Sequence, residues 1–379
     1  MPLTPIVDEQ SIERFLALAL ARVTERAAVA AARLRGRGDE MAADEAAART
    51  MRAEMERLPF RGRVVIGEDE HAAAMFVGEE IGEGDGPLLD LAVAPLEGAT
   101  LCAKDMPGAI SVVAIANAGS LLHAPDVYMD KIAIGPGYPP GLVDLDREPG
   151  ENIAALARAK NVDDSDIVVC ILDRPRHAEL IAKCRRAGAS VRLISDGDVA
   201  GVIFTTQPAQ TGVDMYLGRG GAPEGVLAAG ALRCVGGQMQ GRLVLDTQAK
   251  ILRAAAMGIS DPRKKHDMRD LVSGDAIVCA TGVTDGPLVA GVDLGRNTIT
   301  TRRSSITRSP GRCAAFAPST TPGRCRTKLS ARRVAGRGRA FDPRGESNAR
   351  TIQGLNIEDA ACPCRAAAGS DIRSSADLR

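Results

Sequence analysis

With 379 residues and 45% hydrophobic content, the chain is long enough to bury a sizeable core and has room for two α/β lobes. Aromatic residues make up 2% and Trp is absent, which argues against the stacking platforms that bind single-stranded nucleic acid. The formal net charge is +0, yet residues 301–379 hold 16 Lys and Arg against 6 Asp and Glu, leaving 32 and 42 in residues 1–300.

No run approaches the roughly 20 apolar residues of a membrane span. Asp8, Glu9 and Glu13 do not fit a basic-then-apolar leader. A cytoplasmic location, without membrane or nucleic-acid partners, is the expectation. The nine Cys are scattered, and Cys362-Pro363-Cys364 is too tight for a Cys-x-x-Cys metal pair, so they read as buried free thiols.

Ser11 to Arg35 is predicted as a helix, with Ile12, Phe15, Leu16, Ala19 and Val23 on one face. Gly36-Arg37-Gly38-Asp39 breaks it, and a second helix is predicted from about Ala43 to Arg57. Asp44, in its first turn, reads as either a helix-dipole partner or a ligand. Val64-Val65-Ile66 is a strand that runs into Gly67-Glu68-Asp69-Glu70, and His71 behind it reads as a surface residue. Leu91 to Val93 is a short buried strand ending in Pro95, Glu97 and Gly98. Ala109 to Ala116 is a buried strand, and Gly135 to Gly141 is a rigid turn cluster and a natural lobe boundary. Tyr128 is either core or a phenol aimed at a ligand.

Strand Ile167–Leu172, helix His177–Ala187 and strand Val191–Ile194 alternate, and Val199–Phe204 is apolar again. This predicts a largely parallel, covered sheet with ligands off its strand C-termini. Arg174 and Arg176 follow one such end, where they are either a bidentate phosphate grip or a solvated pair. Gly218-Arg219-Gly220-Gly221-Ala222-Pro223 is not a dinucleotide fingerprint, since Pro223 replaces the third Gly; it reads as a glycine-rich turn delivering Glu224. Ile277–Ala280 closes the ordered pattern. From about Arg302 periodicity gives way to Arg, Ser, Pro, Gly and Ala, and the tail reads as disordered.

Three acidic turns at strand ends beside glycines, around Glu68, Glu97 and Glu224, suit hard cations held by oxygen, next to glycines that admit a phosphate. That combination points to a metal-dependent sugar phosphatase. The ordered set Gly36-Arg37-Gly38-Asp39…Asp44, Ile66-Gly67-Glu68-x-Glu70, Pro95-Leu96-Glu97-Gly98, His123-Ala124-Pro125-Asp126-Val127-Tyr128-Met129, Arg174-Pro175-Arg176-His177, Asp196-Gly197-Asp198 and Gly220-Gly221-Ala222-Pro223-Glu224-Gly225 resembles class II fructose-1,6-bisphosphatases, the GlpX type, over about residues 11–301.

The resemblance implies an α/β, two-lobed, layered sugar-phosphatase fold of the lithium-sensitive superfamily. Its lobes are expected at residues 1–140 and 141–301, with residues 302–379 as a basic tail. It implies hydrolysis of fructose 1,6-bisphosphate in gluconeogenesis, with Mn²⁺ or Mg²⁺, in a homo-oligomer. Asp44, Glu68, Glu97 and Glu224 match the family's metal ligands, and Glu68, Glu97 and Glu224 are the catalytic candidates. Glu97, Gly98, Tyr128, Arg174, Pro175, Arg176, Asp196, Gly197, Asp198 and Gly221 match its substrate-binding positions.

The match departs from the family at several places. Ala94 stands where the family has a metal-ligating Asp, and Ala99 where it has a phosphate-contacting Thr. Asp69 replaces a Gly, and the turn after Glu70 is short. Asp69 or Asp90 is a candidate substitute carboxylate. A reading-frame change near Thr301 would produce the abrupt tail. Sedoheptulose-1,7-bisphosphatase, an impaired sugar-phosphate-binding homologue and an inositol-phosphatase-like activity are the competing readings.

Overall fold

The computed structural model describes residues 9–68, 72–295, 298–309 and 312–313, with side chains from Leu16 onward and as far as Ser305. The chain runs through α1 (Glu9–Ala32), α2 (Glu40–Met55), β1 (Arg61–Ile66), β2 (Glu80–Ile81), β3 (Leu88–Glu97), α3 (Ala99–Ala103) and β4 (Ile110–Asn117). β5 (Tyr128–Ile134), α4 (Pro149–Lys160), β6 (Val168–Leu172), α5 (Ala178–Arg186), β7 (Ser190–Ile194), α6 (Asp198–Phe204), α7 (Pro208–Thr211), β8 (Met215–Gly221), α8 (Ala222–Val235) and β9 (Gln238–Leu243) follow. Then come α9 (Gln248–Ala256), β10 (Lys265–His266), α10 (Met268–Leu271), β11 (Ala276–Gly282), β12 (Asp293–Leu294), β13 (Ile299–Thr300), β14 (Arg303–Ser309) and β15 (Arg312–Cys313).

Two main sheets form, ordered β15-β14-β11-β4-β3-β1-β2 and β10-β9-β5-β8-β6-β7, with β12 and β13 paired separately. Helices α1 and α2 cover one face of the first sheet, because Leu16, Leu20, Val23, Ala27 and Ala31 of α1 and Ala43, Ala47, Met51 and Met55 of α2 recur at helical spacing. They meet Leu91, Val93, Val113, Ile115, Ile277 and Cys279. The alternate residues of the same strands, Ala92, Val112, Ala114, Ala116 and Val278, face the other way into the core between the sheets. That middle layer is α8 with α6. Helix α8 is apolar on nearly all sides and rich in Ala and Gly, as a helix enclosed between two sheets must be. On the far face of the second sheet, Ile132, Ile134, Val169, Ile171, Met215 and Leu217 pack against α4 and α5. The result is a five-layer α-β-α-β-α arrangement.

The pairing corrects the expectation of a largely parallel second sheet. Only β8-β6-β7 is parallel there, while β8-β5-β9-β10 is antiparallel. The visible β-α-β alternation covers only residues 168–194, and the Gly-rich β8 and polar β9 gave no strand signal. Val199–Phe204 is helix α6, whose sides are all buried, so it has no polar stripe to reveal its period. The turn at 135–141 lies within the run of the second sheet, whose β5 precedes it, and β11 returns to the first sheet. The first sheet also extends into the stretch read as disordered: β14 pairs with β11, and Arg303 pairs with Glu25 of α1. Cys102, Cys170, Cys184, Cys234 and Cys279 are buried free thiols. Burial pushes the Cys102 and Cys184 thiols up to about 11 and Cys170 and Cys279 to about 12, which keeps them unreactive. The Cys313, Cys325, Cys362 and Cys364 side chains lie outside the described residues.

Candidate active site

The ends of β1 and β3 and the starts of α2 and α8 meet at one cavity of about 250 Å³. Asp44, Glu68, Glu97 and Glu224 all line it, together with Ala94 and Ala99. Asp39 caps α2 by accepting from Ala42 N at 2.9 Å, so the helix begins at Glu40 and Asp44 falls in its second turn. Helix-dipole compensation fades beyond the first turn, which leaves the cavity as the reason for a half-buried acid there. Glu68 is pinned by its own backbone, which donates to Met75 O at 2.8 Å and accepts from Val77 N at 3.2 Å. Glu97 ends β3, and Gly98 turns the chain away with a left-handed φ of 83°. Glu224 stands in the first turn of α8, behind Pro223.

Glu97 is buried, and its Oε1 accepts from Val199 N at 3.0 Å. Loss of solvent, with the Asp198 and Glu224 carboxylates nearby, raises its pKa well above the usual range. Burial raises Glu224 too, and pushes Asp44 up to about 6. Glu224 Oε2 is buried without a hydrogen-bond partner. A Cβ on Gly221 would fall inside the Glu224 carboxylate, so the chain leaves that position bare. Buried, under-neutralised carboxylates with an orphaned oxygen fit a hard divalent cation. Among the described residues no three His, Cys, Asp or Glu close into a ready-made metal cage; the acids ring an open cavity.

A second group adjoins these acids. Asp198 opens α6 and is buried, Gly197 precedes it with a φ of 81°, and Asp196 accepts from Gly197 N at 3.0 Å. Burial raises the Asp196 carboxyl, and the Arg174 charge opposes that shift. Arg174 is half-buried, whereas Pro175 and Arg176 are exposed. The Arg176 guanidinium lies 4.7 Å from the centre of the Tyr128 ring and donates to Arg219 O at 2.9 Å. Tyr128 is 47% exposed and sits opposite Gly221 across β5 and β8, so it is not a core residue. Between these groups, His177 Nδ1 bonds Leu172 O at 2.7 Å and its Nε2 accepts from Arg219 N at 2.8 Å, which fixes a neutral ring.

Two expectations need correction or completion. Asp90 does not substitute for the missing carboxylate: it is buried at the far end of β3, accepts from Leu121 N at 3.2 Å and lines a different cavity with Arg61 and Arg63. Asp69, Glu70 and His71 lie outside the described residues. Lys131 escaped the sequence reading. It is buried, pairs with Asp198 and donates to Gly221 O at 2.8 Å. A lone Lys at an inward position of the strand Met129-Asp130-Lys131-Ile132-Ala133-Ile134 was the available signal.

The layered fold and the cavity of strand-end carboxylates beside an arginine turn define a sugar-phosphatase-type hydrolase. A family profile described as "Bacterial fructose-1,6-bisphosphatase, glpX-encoded" matches residues 14–316. The chain belongs to this family, and it is a hydrolase of the fructose-bisphosphatase type. A relative from Synechococcus sp. (strain RCC307), named D-fructose 1,6-bisphosphatase class 2/sedoheptulose 1,7-bisphosphatase, is 42% identical over 306 residues, covering 76% of this chain and 91% of its own. One of the same name from Synechococcus elongatus is 39% identical over 332 residues, covering 80% of this chain and 95% of its own. The family match continues past Thr301 to residue 316, so the change in texture does not mark the family's end at Thr301.

Proposed function

We propose that this chain hydrolyses fructose 1,6-bisphosphate to fructose 6-phosphate and phosphate, with Mn²⁺ or Mg²⁺ held by Asp44, Glu68, Glu97 and Glu224. The observation that carries the proposal is the convergence of these four acids on one cavity. Divalent cations, when bound, neutralise the phosphoryl oxygens and make water a stronger acid at neutral pH. Glu68, Glu97 and Glu224 line the cavity and are the candidates to accept a proton from the attacking water, and burial makes Glu97 and Glu224 better bases than ordinary carboxylates. Arg174 and Arg176 hold the distal phosphate, with Arg176 fixed over Tyr128. Gly98, Pro175, Gly197 and Gly221 shape the backbone around the sugar, and Asp196 and Asp198 accept from its hydroxyls. Sedoheptulose 1,7-bisphosphate, which the relatives' name includes, is the second substrate to assay. Among the described residues no helix is long and apolar enough to cross a membrane. A cytoplasmic homo-oligomer belongs to the proposal, and its size in solution checks the second part.

One observation favours a weakened version of this enzyme: Ala94 and Ala99 line the cavity without offering an oxygen from their side chains. The test is Mn²⁺-dependent phosphate release by the wild type beside Ala94→Asp. We expect slow turnover by the wild type and a gain of about 10- to 100-fold in the variant. Silence from both, in folded protein, would overturn hydrolysis and leave a sugar-phosphate-binding protein.

A further inference from the structure

Lys131 lies on β5 with a side chain wholly enclosed by protein. Its ammonium pairs with Asp198 Oδ2 at the start of α6 and donates to the Gly221 carbonyl at 2.8 Å, at the end of β8. The surroundings are cut to fit it. A Cβ on Gly220 would fall inside the Asp198 carboxylate and 3.0 Å from Lys131 Nζ, and one on Gly225 would lie 3.2 Å from Lys131 Cδ. Lysine is almost never fully buried unless paired. Here it is paired with a carboxylate that neighbours Glu97 and Glu224 as well. Left without Lys131, Asp198 would be driven away from those two like charges. Asp198 Oδ1, by contrast, takes no hydrogen bond from the described residues.

We propose that Lys131 is a positioning residue for substrate. It holds Asp198 by Oδ2, against the repulsion of the metal-site acids, so that Oδ1 remains available to a sugar hydroxyl. The inference rests on the reading of Asp198 as a substrate-binding residue. Lys131 touches no substrate itself, and its effect must pass through Asp198.

The test is a double-mutant cycle on the full chain with Mn²⁺ present: Lys131→Met, Asp198→Asn and the pair together. The readouts are the Kd for fructose 1,6-bisphosphate by calorimetry, KM and kcat from phosphate release, and Tm. We expect Lys131→Met to weaken binding by ~10-fold or more, with a much smaller change in kcat. The double variant should bind no more weakly than Asp198→Asn alone. An unchanged Kd with only a lower Tm would overturn the proposal, because Lys131 would then be a structural counterion. Losses that multiply in the double variant would overturn it equally. If Lys131→Met does not fold, the double variant removes both charges of the pair, and its comparison with Asp198→Asn decides the matter alone. Binding by the wild type without phosphate release would remove the hydrolytic reading while leaving this one standing. No binding by the wild type would end both.

Discussion

The His177 ring spans two backbone groups, Leu172 O and Arg219 N, and Arg176 beside it is tied to Arg219 O. The ring is 3% exposed, and burial holds its pKa below the ordinary value. A proton on Nε2 would set a donor against the Arg219 N–H. The folded-state pKa is depressed, so His177 contributes its full stability above the unfolded value of about 6.5 and loses it as pH falls through the folded value. We expect His177→Ala to cost ~1–3 kcal/mol at pH 7.5, since two buried backbone groups lose their partner. The variant's melting curve should also decline less than the wild type's as the pH falls below about 6.5. Parallel wild-type and variant curves over that range would refute the neutral-ring assignment. At this scale the acids that share the cavity were partly legible: Asp44, within a helix, came only with the resemblance, whereas Glu68, Glu97 and Glu224 stand out as turn carboxylates beside glycines. Asp90 misled for the same reason, since sequence does not say which end of β3 faces the cavity. Lys131 was hidden because its partner Asp198 is 67 residues away.

Helix α8 shows what an element adds beyond its residues. It brings Glu224 to the site and packs against the inner faces of both sheets. Gly230 faces the first sheet, where an added Cβ would meet Ala114 Cβ at 3.4 Å and Val278 Cγ2 at 3.5 Å, an ordinary contact. Gly230→Ala should therefore stabilise the protein by ~0.5–1 kcal/mol, through lower entropy of the unfolded chain. Gly230→Leu should instead destabilise by roughly 1–3 kcal/mol, because the layers are already in contact. Denaturant unfolding of the two variants checks both signs, and a destabilising Ala would show that the layers fit more tightly than described. Helices α1 and α2 were readable from their apolar stripe, since each has one face to solvent. Helices α6 and α8 were not, because enclosure erases the stripe. The end of strand β8, Gly218-Arg219-Gly220-Gly221, read as a turn, since its glycines serve the passage of Asp198, Lys131 and Glu224 rather than strand formation.

Across the whole molecule, the proposed cation site predicts a stability that depends on cations. Burial raises the folded pKa values of Asp44, Glu97 and Glu224 above their unfolded ones, so in the metal-free protein their ionisation costs stability as pH rises. For Asp44 that loss falls between 3.8 and about 6. Cation binding needs the ionised acids and offsets the cost. A saturating divalent cation, at about 100 times its Kd, should add ~2.7 kcal/mol. That corresponds to roughly 3–8 °C in Tm at pH 8, with a markedly smaller shift at pH 5. Thermal melts with Mn²⁺ and with a chelator measure it. An equal shift at both pH values would place the cation away from these carboxylates. The fold class was legible from alternation and the ordered motifs, whereas the sheet pairing was not, because pairing depends on contacts between distant segments.

The first sheet is closed by strands from opposite ends of the described chain. β4 ends at Asn117, and its neighbour β11 begins at Ala276. On the ribosome that gap of 158 residues takes roughly 8–30 s to synthesise at about 5–20 residues per second. Throughout that interval β4, apolar along nearly its whole length, presents an unpaired edge. The nascent chain therefore carries a sticky half-sheet through a long middle stretch of its synthesis, and its yield in the cell depends on what shields β4 until β11 emerges.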